Sequence, residues 1–135
     1  MLTGTVNSHY EAVVRLQVRG PNGRDLEAEA IIDTGFTGSL TLPKDVVNRL
    51  GLRFQGHERG VLADGSEGFF EIYEALVLWD GRFRSVSVDV VDTTPLLGMS
   101  LLRGSELAIQ VVEGGEVFIQ ELPASSLRIR RIVPP

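Results

Sequence analysis

The sequence predicts a mainly β protein with one or two short helices. Short apolar and β-branched runs alternate with turn residues along most of the chain, and 15 of its 135 residues are glycine. Two D-G pairs and one N-G pair stand between such runs, a pattern typical of tight β-hairpin turns. Only residues 43–50 carry the apolar spacing of a full helix, and residues 100–103 are predicted to add a single helical turn.

Each predicted strand is a short apolar run bounded by Gly, Pro, Asn or Asp. This rule gives strands at 12–18, 26–32 and 39–42, hairpins at 60–79, 79–91 and 107–122, and a last strand at 126–133. The helix at 43–50 begins with Pro43 and ends before Gly51. Proline suits a first helical position and glycine a helix end.

Composition excludes several classes of protein. The chain is 43% hydrophobic and 23% charged, which is typical of one soluble domain, and we expect that domain to span residues 1–123. The absence of cysteine excludes disulfide scaffolds, Cys-ligated zinc and cysteine nucleophiles. His9 and His57 are far apart, so we expect no metal and no cofactor. No signal peptide or membrane-spanning run is visible, which predicts a cytoplasmic protein without membrane contact.

Residues 124–135 are predicted to form a C-terminal tail. All eighteen acidic residues precede Ser125, whereas the tail carries Arg128, Arg130 and Arg131. Three charges fall short of a basic block, so we favour a solvated or self-docked tail over a nucleic-acid arm. The tail is also a candidate dimer-interface strand. The formal net charge of −5 argues against a nucleic-acid partner for the whole chain.

The most informative motif is Asp33-Thr34-Gly35. It follows an apolar run at residues 30–32, which reads as the end of a strand buried on both faces, and its glycine permits a sharp turn. A carboxylate in that position is held rigidly. Taken alone, the triplet is also explained by an Asx-type turn that caps a strand.

A second motif, Leu96-Leu97-Gly98, lies about sixty residues further on, and a D-G-tipped hairpin stands between the two motifs. With these features, the chain from residue 12 to about 122 resembles the retroviral-protease-like (retropepsin-like) clan AA aspartic peptidases. The resemblance is closest to small prokaryotic members that read D-T-G-F-T-G. It implies a closed β-barrel that corresponds to one half of an acid protease.

The resemblance also implies roles for particular residues. Asp33 would be catalytic, Thr34 would join two active-site loops, and the Gly35 N–H would steady the carboxylate. Leu97 and Gly98 would support the loop from below. The hairpin at about 61–69 would be the flap that closes over a peptide. The expected substrate-binding residues near the motifs and the flap tip are Phe36, Leu62, Ala63, Asp64, Gly65 and Leu96.

The chain contains one D-T-G, whereas aspartic peptidase chemistry needs two neighbouring carboxylates that share a proton. We therefore predict a homodimer in which each chain supplies Asp33, acting on peptide or unfolded protein substrates. Met99 and Thr37 replace the arginine and acid that brace retroviral dimers. Phe36 replaces the hydroxyl residue that pepsin-type enzymes have after D-T-G, so we expect activity nearer neutral pH.

Two alternative functions fit parts of the sequence. A catalytically weak or inactive retropepsin-like dimer that binds peptides or protein partners has the same fold, and fold does not settle activity. A serine hydrolase is suggested by Gly98-Met99-Ser100, the start of a nucleophile elbow. That motif fails at Leu102, where it requires glycine, and no histidine lies nearby in the sequence.

Overall fold

The computed structural model describes residues 1–61 and 64–123, which form mostly β-strands. In chain order the strands are β1 (Leu2–Val6), β2 (Ala12–Arg19), β3 (Asp25–Ile32), β4 (Leu40–Leu42), β5 (Arg53–Val61), β6 (Glu67–Trp79), β7 (Arg82–Val90), β8 (Leu96–Leu97), β9 (Ser105–Ile109) and β10 (Glu116–Glu121). The helices are α1 (Lys44–Leu50) and α2 (Met99–Leu102). The predicted mainly β fold with two short helices is confirmed. The predicted tail and its strand at 126–133 lie outside the described residues.

All ten strands belong to one sheet, in the order β5-β6-β7-β4-β8-β3-β2-β1-β10-β9. An additional antiparallel pairing joins β2 to β6, with Val18 opposite Val77. This pairing closes a ring of six strands, from β6 through β7, β4, β8 and β3 to β2. The closed barrel that the sequence predicted is therefore present.

The core fills the inside of this barrel. On β2 the inward residues alternate with outward ones, and Leu16 and Val18 have no exposed surface. Helix α1 closes one side of the barrel with Val47 and Leu50. Gly20 is needed there because a Cβ on it would lie 1.9 Å from the Leu50 carbonyl oxygen.

The second motif is inserted between the two strands that flank the first motif. Strand β8 pairs in parallel with β3, with Leu97 opposite Ile32, and antiparallel with β4, with Leu97 opposite Leu40. Strands β3 and β4 are joined by the loop of residues 33–39, which therefore crosses the end of β8. The topology thus brings the D-T-G and L-L-G motifs into contact.

Strand β6 is 13 residues long and belongs both to the barrel and to a hairpin that extends from it. Its first half pairs with β5 to form a hairpin, and its second half pairs with β7 and β2 in the barrel. The β5–β6 hairpin therefore projects from the barrel as a continuation of its wall.

The observed strands correct the prediction at several points. Strand β1 was not predicted, although it pairs with both β2 and β10. Strand β5 begins at Arg53 rather than at residue 60. Its polar residues face solvent on both sides, so the alternation of apolar and polar residues that marks a half-buried strand is missing.

Three further boundaries were wrong. Helix α1 begins at Lys44, and Pro43 is the extended residue before it rather than the first helical one. Helix α2 begins at Met99, one residue before the predicted turn. Strand β9 ends at Ile109 rather than at residue 112. The Val112 N–H donates to the Gln110 carbonyl oxygen, and the Val112 carbonyl oxygen accepts from the Gly115 N–H, so these residues form the turn. Val111 and Val112 are consequently exposed, although their apolar character favoured a strand.

The described residues contain neither a membrane-spanning helix nor a metal-binding cluster of side chains. Neither helix there is both long and apolar enough to cross a bilayer. Within the same residues, no group of three or more His, Asp and Glu side chains is arranged to hold a metal ion.

Candidate functional site

Asp33 lies at the end of β3 and is held by its own backbone. Its N–H donates to the Leu97 carbonyl oxygen at 2.9 Å, and its carbonyl oxygen accepts from the Phe36 N–H at 3.1 Å. The Gly35 N–H donates to the Asp33 carboxylate oxygen Oδ1 at 2.9 Å. These three bonds fix the residue's position and direct one carboxylate oxygen into the turn. The side chain is half-buried.

The loop and the second motif touch through Gly98. A Cβ on Gly98 would lie 2.2 Å from the Gly38 carbonyl oxygen and 2.8 Å from that of Phe36. Around this contact the Gly98 N–H donates to Ser39 at 2.9 Å and the Met99 N–H donates to Phe36 at 2.8 Å, both to carbonyl oxygens. A side chain at position 98 would separate the two segments, which explains why glycine follows Leu97.

Leu97 lies beneath this contact and has no exposed surface. Its opposite partners on the two flanking strands are Ile32 and Leu40. Leu97 therefore joins the loop to the barrel core.

Phe36 packs within the loop itself. A Cβ on Gly38 would lie 2.4 Å from the Phe36 ring, and one on Gly98 would lie 2.5 Å from it. The ring therefore covers both glycines and remains half-buried. This packing contact was not predicted from the sequence, which suggested only a substrate-binding role for Phe36.

Leu96 lies on the opposite face of β8 from Leu97. It pairs with Ile31, and both residues are half-buried and separate from the core cluster. Side chains alternate along a strand, so Asp33, two residues after Ile31, continues on the same face. Asp33 and Leu96 are therefore brought to one surface of the sheet.

A shallow depression of about 390 Å³ lies beside the loop and is lined mainly by apolar surface. Its lining includes Thr34, Thr37, Met99, Leu102 and Leu107. Met99 is 46% exposed, and Thr34 and Thr37 are also exposed. The Ser100 hydroxyl donates to the Thr37 carbonyl oxygen, which ties α2 to the loop where no arginine and acid stand.

The β5–β6 hairpin carries the other predicted substrate-binding residues. Asp64 and Gly65 lie in its turn, and Gly65 has a φ of +85°, which favours glycine. The Asp64 carboxylate accepts from the hydroxyl and the N–H of Ser66, and these bonds lower the pKa of Asp64. Leu62 and Ala63 lie outside the described residues.

The root of this hairpin is anchored to α1 by Lys44. Its ammonium nitrogen Nζ donates to Glu71 Oε1 at 2.8 Å and to the Tyr73 hydroxyl at 2.7 Å. The hydrogen bond to Glu71 raises the pKa of Lys44, and the same bond lowers the pKa of Glu71. The Lys44 N–H also donates to Asp92, in the segment that leads to β8. Sequence reasoning missed this anchor, although Lys44 is the chain's single lysine.

The arrangement offers one fixed, partly exposed carboxylate at the end of β3. None of the carboxylates in residues 1–61 and 64–123 makes a hydrogen bond with that of Asp33. One carboxylate can take a proton from water or donate one, but not both at the same time. Chemistry that needs an acid and a base together therefore requires a second group besides Asp33.

Comparison with known proteins identifies the fold. No protein family model matches this sequence, and no curated protein matches it. The structure is similar to the crystal structure of a retropepsin-like aspartic protease from Rickettsia conorii, with a TM-score of 0.55 and 16% sequence identity. The similarity covers 90% of this chain and 91% of that one. The protein therefore has the retropepsin-like fold.

Proposed function

We propose that the protein is an aspartic endopeptidase that acts as a homodimer. The observation that carries this proposal is the position of Asp33. Its backbone is bonded to the second motif, its carboxylate accepts a hydrogen bond from Gly35, and its side chain lies on a half-buried face outside the core. A retropepsin-like fold with a fixed carboxylate at this point suits acid–base hydrolysis of an amide.

In the proposed mechanism, Asp33 from each of two chains faces the other across a two-fold axis. Two carboxylates at hydrogen-bond distance cannot both be ionised, so the pair shares one proton. The ionised Asp33 takes a proton from water as that water attacks the scissile carbonyl carbon. The protonated Asp33 donates to the carbonyl oxygen, which gives a tetrahedral intermediate with two hydroxyl groups. The Asp33 that took the water proton then donates it to the amide nitrogen, while the other Asp33 takes a proton from one hydroxyl. The C–N bond breaks, the amine leaves, and the pair again shares one proton.

The surface that would form the dimer is the depression beside the loop. It adjoins Asp33 in the chain through Thr34, and it exposes Met99 on a mainly apolar surface. A two-fold interface uses the same patch of both copies, so one exposed patch beside the site is sufficient. The Thr34 side chain makes no hydrogen bond within the described part of the chain, which leaves it available to the second copy.

The peptide would lie between Asp33 and the β5–β6 hairpin, which would act as the flap. Leu96 would contact the substrate from the sheet, and Asp64 and Gly65 would lie at the flap tip. The exposed edge of Phe36 would meet the substrate from the loop. These roles all require the peptide to cross the face that carries Asp33.

The test is hydrolysis of an unfolded protein between pH 4 and 7, with cleavage products identified by mass spectrometry. We expect cleavage by the wild-type protein and none by Asp33→Asn, because an amide can neither accept nor supply the proton. Asp45→Asn is the matched control. It makes the same change on α1, where Asp45 pairs with Arg49 and is exposed.

Two outcomes would contradict the proposal. Cleavage that survives Asp33→Asn would exclude Asp33 as the catalytic group. A wild-type protein that forms a dimer, binds peptides and cleaves none of them would favour the inactive peptide-binding dimer.

A further inference from the structure

One row of side chains crosses the sheet on the face that carries Asp33. Ile31 pairs with Leu96, and Asp89 pairs with Thr41 on one side and Ile72 on the other. The row is joined between Leu96 and Thr41, where the Leu96 N–H donates to the Thr41 hydroxyl oxygen at 2.8 Å. Paired residues on adjacent strands point to the same face of a sheet. The row therefore extends over five strands, from β3 to β6.

The row faces away from the barrel core. The neighbouring positions on the same strands, Ile32, Leu97, Leu40, Val88 and Tyr73, belong to the core cluster or pack against it. Ile31, Leu96 and Ile72 are half-buried and are not part of that cluster. They form an apolar face that extends from Asp33 toward the flap.

Asp89 is the one ionisable member of this row. It is half-buried, and none of the hydrogen-bond donors and cations in the described residues contacts its carboxylate. Two other carboxylates do have a cation beside them, Asp25 with Arg19 and Glu71 with Lys44. Burial is the main cause that raises the pKa of Asp89, and the charge of Glu58 is the second.

Glu58 approaches from the flap. It lies opposite Phe70 on the hairpin, and Phe70 is two residues from Ile72 on β6. Alternation along β6 therefore places Glu58 and Phe70 on the same face as Ile72 and Asp89. A ligand between the flap and the sheet would meet a carboxylate from each side.

We propose that Asp89 is a specificity-determining residue, which binds a lysine or arginine side chain of the peptide substrate. The inference rests on the proposed function and names a preference of that site. Neighbouring strands lie about 4.8 Å apart, so three strand spacings place Asp89 roughly 14 Å from Ile31 along the sheet. A substrate peptide that lies along this row in extended form rises about 3.3 Å per residue. The preferred basic residue therefore lies about three to five residues from the cut bond, which is at Asp33.

The experiment is digestion of an unbiased peptide library, with every cleavage site read by mass spectrometry. We expect enrichment of Lys and Arg of about tenfold at one or two positions three to five residues from the cut, since hydrogen bonds to charged groups are stronger than those between neutral groups. Asp89→Asn should abolish the enrichment and retain cleavage of neutral peptides. Glu113→Gln, the same loss of charge in an exposed turn, should change neither.

The outcomes separate this inference from the proposed function. Cleavage without enrichment of basic residues, or enrichment that survives Asp89→Asn, would overturn the inference and leave the peptidase intact. If the wild-type protein cleaves no peptide, the proposed function fails. The inference is then decided by fluorescence anisotropy with matched lysine and norleucine peptides, where equal affinities would overturn it and tighter binding of the lysine peptide would support it.

Discussion

The loop around Asp33 and the β5–β6 hairpin face the same proposed substrate, but they are held in different ways. The loop is bonded to β8 and α2 along its length, its Gly38 lies against the Phe36 ring, and Gly98 beside it lies against loop backbone atoms. The hairpin is anchored at its root by Lys44, while Val61 and Phe69 near its tip are each 72% exposed. Packing therefore fixes Asp33, the proposed catalytic residue, whereas the tip of the β5–β6 hairpin, the proposed flap, has few packing contacts.

This contrast has a physical reason. A catalytic group must keep its geometry, because a small misplacement costs rate. A lid must open and close, so it is formed from elements with few buried contacts. The two regions should consequently respond very differently to the same substitution.

Glycine to alanine is the sharpest such substitution. Gly98→Ala forces a methyl group to within 2.2 Å of the Gly38 carbonyl oxygen, and we expect a loss of about 3 kcal/mol or more, or failure to fold. Gly65→Ala at the flap turn has no atom within 4 Å and should cost only about 1 kcal/mol, because of its positive φ. Urea denaturation measures both. Equal losses would contradict the comparison.

The two phenylalanines give the next largest contrast. Phe36→Ala removes the ring that covers Gly38 and Gly98, and we expect about 2 kcal/mol of lost stability from this half-buried site. Phe69→Ala, at an exposed flap position, should change stability by less than about 0.5 kcal/mol. Thermal unfolding of both variants provides the measurement. A larger loss for Phe69→Ala would show that the flap tip is packed.

The anchor of the flap should act locally. Lys44→Met breaks the bonds to Glu71 and Tyr73, so amide hydrogen exchange should become faster along β5 and the first half of β6. Exchange in β3 and β8 should not change. Arg49→Met, which breaks the exposed pair with Asp45 on the same helix, is the control and should leave the hairpin unaffected. Unchanged exchange in the hairpin after Lys44→Met would show that Lys44 does not anchor it.

The smallest expected effects are two pH dependences of opposite sign. Folding lowers the pKa of Glu71 through Lys44, so Glu71 stabilises the protein at neutral pH and this contribution is lost as pH falls through its folded pKa. Folding raises the pKa of Asp89 through burial, so Asp89 destabilises the protein at neutral pH, and this penalty disappears as pH falls below about 4.

The corresponding variants test these signs. Glu71→Gln should lower the free energy of unfolding at pH 7 and have little effect in strong acid. Asp89→Asn should raise it at pH 7, by less than about 1 kcal/mol because the side chain is half-exposed, and should have no effect at pH 3. Denaturation at both pH values provides the measurement. If Asp89→Asn instead lowers the free energy of unfolding at pH 7, a hydrogen-bond donor contacts the Asp89 carboxylate in the folded protein.

Much of the barrel was predictable because its signals are local. The apolar alternation of β2, the D-G turns and the Pro43 and Gly51 boundaries of α1 each act within a few residues. The contact between the two motifs was expected only through family resemblance, since no local pattern shows that Gly98 lies against Gly38. The Lys44 anchor and the row from Ile31 to Asp89 depend on strand register across the barrel. The prediction of strand β5 was too short because its exposed residues show no alternation of apolar and polar side chains.

In the proposed dimer, each chain supplies half of one active site. This can be measured by refolding a fixed amount of wild-type protein with increasing amounts of Asp33→Asn and following peptide cleavage. We expect activity to fall toward zero as the variant is added, because mixed dimers contain one working carboxylate. Activity that stays constant at every ratio would contradict it, since each wild-type chain would then act alone.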